Sequence, residues 1–291
     1  MELAKRYRTL IEQRLNELLS NPDGDRIAEA QAYSLLAEAS RYRPMVLLCA
    51  ASCFGVDAAS ALDAACAVEF VHGATVVLSD MPSLEYTLVR RNKLPTYRVY
   101  GEACSFLAAG ALVGWAFELL CSNLESLKVA KPKAMDAIRS LAGALGRNGL
   151  FSGIWQEYRL TENRMEIVQD IHCKRTGLIF QAAAKIGGIL GGAKRHELEL
   201  LETYGCNVGL AVRIIEDIWE YMEGEDSSRK PLRQSLRPAN LTSSIGDEAS
   251  RQMAKNLIIS AQEAVKPLGS AAGALAELAE YILTNGLVRK S

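Results

Sequence analysis

From Leu3 onward, apolar residues return every third or fourth position, and no stretch alternates apolar and polar residues as a half-buried strand does. Leu3, Tyr7, Leu10, Ile11, Leu15, Leu18 and Leu19 fall on one helix face, and Asn21-Pro22-Asp23-Gly24 ends that helix with turn chemistry. The same rhythm predicts helices over 27–39, 45–53, 58–78, 102–120, 134–145, 165–190, 196–221, 248–265 and 271–283. Small residues such as Ala58-Ala59-Ser60-Ala61 and Ala182-Ala183-Ala184 let helices approach closely. The expected fold is therefore all-α, a single domain over 1–291, built as a bundle of about ten or more helices. One polar interruption over 221–247, with Pro231, Pro238 and many Ser, Arg and Asp residues, reads as a mobile loop.

Composition removes several functions. A net charge of −1 and a pI near 6.4 offer no broad basic face to nucleic acid or an anionic membrane. The longest charge-free run, 103–117, falls short of the roughly 18 apolar residues a bilayer span needs, so no transmembrane segment is expected and this run reads as a buried helix. Met1-Glu2-Leu3-Ala4-Lys5-Arg6 resembles neither a signal nor a transit peptide. Seven cysteines scattered through apolar segments fit reduced thiols in an intracellular or organellar compartment. Three histidines, none at zinc-site spacing, leave transition-metal chemistry without ligands.

Two acidic clusters carry the chemistry. The first is Ser79-Asp80-Met81-Pro82-Ser83-Leu84-Glu85, followed by Arg90-Arg91; the second is Glu216-Asp217-Ile218-Trp219-Glu220. Grouped carboxylates are hard oxygen donors suited to Mg²⁺ shared with substrate phosphates. Arginine pairs suit the phosphates themselves. Arg213 precedes the second cluster by one turn, on the face of Glu216, Asp217 and Glu220. The expectation is a guanidinium–carboxylate pair there, with Arg213 supplying part of the positive charge a metal would bring.

Tyr33 through Pro44, Glu69-Phe70-Val71-His72, Asp80-Met81-Pro82, Arg90-Arg91-Asn92-Lys93-Leu94-Pro95-Thr96, Gly101-Glu102, Ile171-His172-Cys173-Lys174-Arg175-Thr176, Ile189-Leu190-Gly191-Gly192-Ala193 and the Glu216 cluster occur in an order that resembles the trans-isoprenyl diphosphate synthase family. The resemblance implies the isoprenoid-synthase bundle, and condensation of isopentenyl diphosphate with an allylic diphosphate using Mg²⁺ between two Asp-rich motifs. It also implies a diphosphate-binding role for Arg43, His72, Arg90, Arg91, Arg175 and Thr176. Asp80, Glu85, Glu216, Asp217 and Glu220 become the remnants of the metal set. Ser79 stands where the family has its first Asp, and Glu85 and Glu220 stand where it has shorter acids. Glu38-Ala39-Ser40 replaces Gly-Gly-Lys, Ile154 replaces a Gln, and Arg175 replaces a Lys. A neutral serine cannot supply the lost charge, so metal affinity is expected to fall steeply.

Cys49-Ala50-Ala51-Ser52-Cys53 places two thiols one turn apart on a helix face. In a degenerate prenyltransferase this C-x-x-x-C is similar to the mark of plant plastid small subunits of geranyl(geranyl) diphosphate synthases. Cys66, Cys104, Cys121, Cys173 and Cys206 form no second pair at that spacing. The resemblance implies a catalytically impaired regulatory subunit in the plastid stroma or at a membrane periphery. Its partner would be a geranylgeranyl diphosphate synthase large subunit, with Cys49 and Cys53 at the docking surface, Mg²⁺ in the partner's site, and further contacts to downstream isoprenoid enzymes. The competing reading is a slow Mg²⁺-dependent short-chain prenyltransferase using the surviving acids.

Overall fold

The structure, a computed structural model, describes residues 2–20, 24–85, 87–90, 93–162, 164–225 and 239–288. Its helices run in chain order as α1 (Glu2–Leu19), α2 (Arg26–Leu35), α3 (Tyr42–Cys53), α4 (Leu62–Ser79), α5 (Thr96–Tyr100), α6 (Glu102–Ser126) and α7 (Lys131–Leu145). There follow α8 (Leu150–Tyr158), α9 (Met165–His172), α10 (Leu178–Leu190), α11 (Arg195–Glu225), α12 (Leu241–Ile245), α13 (Asp247–Val265) and α14 (Gly273–Leu287). No strand occurs among the described residues, only an isolated bridge between Arg90 and Lys93.

Helix α3 runs through the middle, packed on α10, α4 and α14. Its burial on several sides explains why Met45 through Ala51 are all inside. Glycine sets how closely α10 can approach: a Cβ on Gly187 would stand 2.3 Å from the Leu47 carbonyl oxygen and 2.8 Å from the Ala50 Cβ. Gly187→Ala is expected to cost about 1–3 kcal/mol through overpacking, read as a lower urea midpoint at unchanged slope.

Several predicted boundaries moved, each for a physical reason. The helix expected over 27–39 stops at Leu35 because Arg41, itself in the left-handed region at φ 55°, turns its guanidinium back onto the Leu35 and Ala37 carbonyl oxygens. The same buried side chain pairs with Glu69 at 2.7 Å and Glu12 at 2.8 Å. The helix expected over 58–78 begins instead with a 3₁₀ turn at Ala58–Ala61. That expected over 102–120 continues to Ser126, where Asn123 donates to the Ser60 carbonyl and accepts from the Ala64 amide.

The run 103–117 is not a wholly buried helix. Ser105, Ala108, Ala109, Leu112 and Ala116 face the core, while Phe106 and Leu107 are 62% and 56% exposed. Ala103, Gly110, Ala111 and Gly114 continue that outer face. By length and composition alone, Ala58–Ser79 and Glu102–Ser126 could each cross a membrane. Both pack in the bundle against one another.

The segment expected as a single helix over 165–190 contains a π turn at Cys173–Gly177 between α9 and α10. The interruption expected over 221–247 is partly helical: α11 reaches Glu225, and Asn240 caps α12 by accepting from the Ser243 amide. Residues 226–238 of that loop lie outside the described residues.

Candidate functional site

A cavity of about 350 Å³ opens between α3, α4, α8, the π turn and α11. Arg43, His72, Arg90, Arg175 and Arg213 line it with nitrogen, and Glu85, Glu216 and Glu220 with carboxylate. Ser79, Thr75, Thr176 and Trp219 also line it. The two acidic clusters, far apart in sequence, thus share one cavity.

Arg43 enters from the first turn of α3 and is 7% exposed. Its Nη1 lies 3.3 Å from His72 Nε2, and its guanidinium carbon stands 4.8 Å from the centre of the Phe180 ring. No carboxylate lies within 4.0 Å of it among the described residues. Burial pushes its pKa down, against the favourable fields of Glu216 and Glu69. A buried guanidinium held by an imidazole and an aromatic face is suited to an anion.

The π turn explains how Arg175 and Thr176 reach the cavity. Widening the backbone ring by one residue re-aims the side chains beyond it, a feature often met at functional sites. Arg175 then bridges Glu85, at 2.7 Å, and Glu157 of α8 in direct contact. Sequence reading passed over Glu157, although it is a lone acid on the apolar stripe Leu150, Gly153, Ile154. At 3% exposed it is a buried anion shared by Arg175 and, at 3.9 Å, by Arg213.

The first cluster divides at its first two residues. Ser79 lines the cavity, while Asp80 borders a smaller neighbouring recess with Tyr33, Lys93 and Pro95. Arg90 spans the two, contacting Asp80 directly and Glu85 at 3.6 Å. The cavity-facing position is therefore the one that carries a hydroxyl. Arg91 lies outside the described residues.

In the second cluster, Arg213 is 1% exposed and reaches Asp217 at 2.9 Å and Glu216 at 3.5 Å, the pairing the i, i+4 and i, i+3 spacing implied. Asp217 is engaged on its other side as well. Its Oδ2 accepts from the Leu241 amide at 2.7 Å and lies 3.3 Å from His172 Nε2. Its carbonyl accepts from Asn240. Asp217, which the resemblance counts among the metal set, fastens the start of α12 to α11. Glu220 is 4% exposed and lines the cavity wall.

Mg²⁺ needs oxygen donors open to near-ideal octahedral coordination at about 2.0–2.1 Å. Here Asp80, Glu85, Glu216 and Asp217 each have a guanidinium within 4.0 Å, and Ser79 presents no charge. Among the described residues no three Asp, Glu, His or Cys side chains gather as a ligand set. The donors present do not fit the Mg²⁺ site implied by the resemblance.

The two thiols expected at a docking surface sit differently from that expectation. Cys49 is 1% exposed, beneath Ala4, Leu278 and Tyr281, and burial raises its pKa strongly. Cys53 is half-buried, its thiol 3.0 Å from the Ala271 carbonyl oxygen and its pKa raised by burial to about 11. Helix α14 covers α3 there, so Cys49 shapes packing from within and cannot touch a partner directly.

A helical bundle around a cavity where five nitrogen-bearing side chains meet carboxylates from both acid clusters is the architecture of a protein that binds an anionic, phosphate-like ligand. The chain belongs to the polyprenyl synthetase family, whose model matches residues 25–268. It is 35% identical over 266 residues to geranylgeranyl pyrophosphate synthase 9, chloroplastic, of Arabidopsis thaliana, covering 88% of this chain and 73% of that protein. It is 29% identical over 269 residues to the heterodimeric geranylgeranyl pyrophosphate synthase large subunit 2 of the same plant, covering 89% and 70%. The fold matches that of an FPP/GFPP synthase from Zymomonas mobilis with TM-score 0.83 at 24% identity, over 97% of this chain and 98% of that one.

Proposed function

We propose that this chain is a regulatory small subunit that binds a geranylgeranyl diphosphate synthase large subunit and alters its activity, product length or recruitment to downstream isoprenoid enzymes. The observation that carries the reading is the guanidinium pairing of both acid clusters. Ionising an allylic diphosphate needs several cations to neutralise the leaving pyrophosphate. Arg90, Arg175 and Arg213 here satisfy carboxylates of the same chain instead. The metal-dependent step then belongs to the partner, whose own site would hold Mg²⁺.

The outer face of α6 supports the same reading. Phe106 and Leu107, flanked by Ala103, Gly110, Ala111 and Gly114, make an apolar stripe that admits close approach of another helix. We assign its occupant as the large subunit, because a relative over 89% of this chain is itself named as the large subunit of a heterodimer. Relatives named as chloroplastic support a plastid setting. Cys49 and Cys53 contribute indirectly, by fixing how α14 seats on α3.

A second reading rests on the cavity itself. Arg43, His72 and Thr176 line the cavity and would bind a diphosphate, and Ala74 and Thr75 are small. Under it the chain is a slow Mg²⁺-dependent prenyltransferase. One experiment separates the two: the purified chain with Mg²⁺, isopentenyl diphosphate and dimethylallyl or geranyl diphosphate, with and without a plastid large subunit. The expected result is product only in the mixture, in altered chain-length proportions, together with co-elution. Turnover by the chain alone at a rate comparable to the large subunit would overturn the regulatory reading.

A further inference from the structure

The π turn and the first turn of α10 approach α11 more closely than side chains normally allow. A Cβ on Gly209 would stand 2.9 Å from the Gly177 Cα, and one on Gly205 would stand 2.5 Å from the Phe180 carbonyl oxygen. Gly205 and Gly209 are one helical turn apart on α11, and Cys206 sits between them. Cys173 opens the π turn from the other side. The result is a juxtaposition that the sequence spacing hides: both thiol sulfurs lie 3.6 Å from the point a Gly177 Cβ would occupy, one reaching it from the π turn and the other from α11.

We infer that Cys173 and Cys206 form a reversible dithiol–disulfide pair that staples the π turn to α11 and so fixes Arg175 in the cavity. Both residues are half-buried. Neither is absorbed by the proposed function, and the inference stands whether or not the chain turns over substrate. The hydrogen bond from Cys206 lowers the Cys173 pKa to about 7 against the opposing effect of burial, and raises that of Cys206. Within the proposed pair Cys173 attacks as the thiolate and Cys206 resolves.

The chemistry balances with a small-molecule disulfide such as oxidised glutathione. Cys173 thiolate attacks one of its sulfurs, breaking the S–S bond, forming a mixed disulfide and releasing one glutathione thiolate. Cys206 then gives its proton to the released glutathione thiolate and attacks the Cys173 sulfur, breaking the mixed disulfide and expelling the second glutathione as thiolate. Two protein thiols are oxidised and one glutathione disulfide is reduced to two thiols. Reduction by an excess of dithiol reverses both steps. By contrast Cys49, Cys53 and Cys66, whose pKa values burial raises, are poor thiolates.

The test is oxidation of the full chain with a glutathione redox series, quenching by alkylation, and peptide mass analysis. Trypsin releases Cys173 on 165–174 and Cys206 on 196–213. The expected product joins those peptides, lighter by two hydrogens, and is lost on dithiothreitol treatment. Cys206→Ser should leave a stable glutathione adduct on Cys173, while Cys173→Ser should leave Cys206 unmodified under the same conditions. Slower amide exchange of the π turn in the oxidised chain is the accompanying expectation. Accumulation of glutathione on Cys173 in the unaltered chain with no joined peptide would overturn the inference, as would preferential joining of Cys49 to Cys53.

Discussion

Replacing Arg213 by Ala is expected to destabilise the chain by about 3–5 kcal/mol, the cost of leaving a buried anion without its partner. The side chain is 1% exposed and lies between Asp217, Glu216 and the buried Glu157. Asp217 would keep the Leu241 amide, and so a carboxylate facing an empty guanidinium site would remain tied to the start of α12. The measurement is urea denaturation followed by far-UV circular dichroism. A loss below about 1 kcal/mol, the scale of an exposed ion pair, would mean that the network is ornamental. The double substitution Arg213→Ala with Asp217→Asn should recover part of the loss, because the two side chains share one interaction. The physical point is that Asp217 is a structural joint, its carboxylate holding the start of α12 against α11.

The second large effect is expected at the proposed interface. Phe106→Glu with Leu107→Glu should weaken association with a large subunit by roughly 100-fold, since apolar anchors near an interface centre commonly contribute 2 kcal/mol or more and a buried carboxylate there is unpaired. Both side chains are more than half exposed in this chain, so the monomer's own fold should change little. Surface plasmon resonance against an immobilised large subunit reads the affinity, and the urea midpoint of the isolated variant checks the fold. Unchanged affinity would remove α6 as the docking face. If Cys49→Ala with Cys53→Ala also weakens binding, its isolated chain should show a lowered midpoint, because Cys49 acts through the seat of α14.

How much of this was legible beforehand differs from residue to residue. The helices followed from apolar spacing because each buries one stripe or all sides against neighbours, and spacing records that directly. The pairing of Arg213 with Glu216 and Asp217 was legible for the same reason, as contacts within one helix turn are fixed by its pitch. The end of α2 at Leu35 was not, because it depends on Arg41 folding back while pairing with Glu69. Glu157 escaped notice because its partners, Arg175 and Arg213, lie on other helices. The exposed flank of α6 and the burial of Cys49 under α14 were not legible either, since apolar composition does not say which face a neighbour will cover.

By itself the sequence determined an all-helical chain with two acid clusters, a neutral Ser79 in the first, and an arginine one turn before the second. These are local facts, set by residue type and helical period. Tertiary structure alone decided that Ser79 faces the cavity while Asp80 turns to Arg90, that Asp217 clasps α12, and that Cys173 meets Cys206 across Gly177. Each depends on how closely two helices distant in sequence approach. That distance is set by the glycines and buried charges at their crossing, which no single helix encodes.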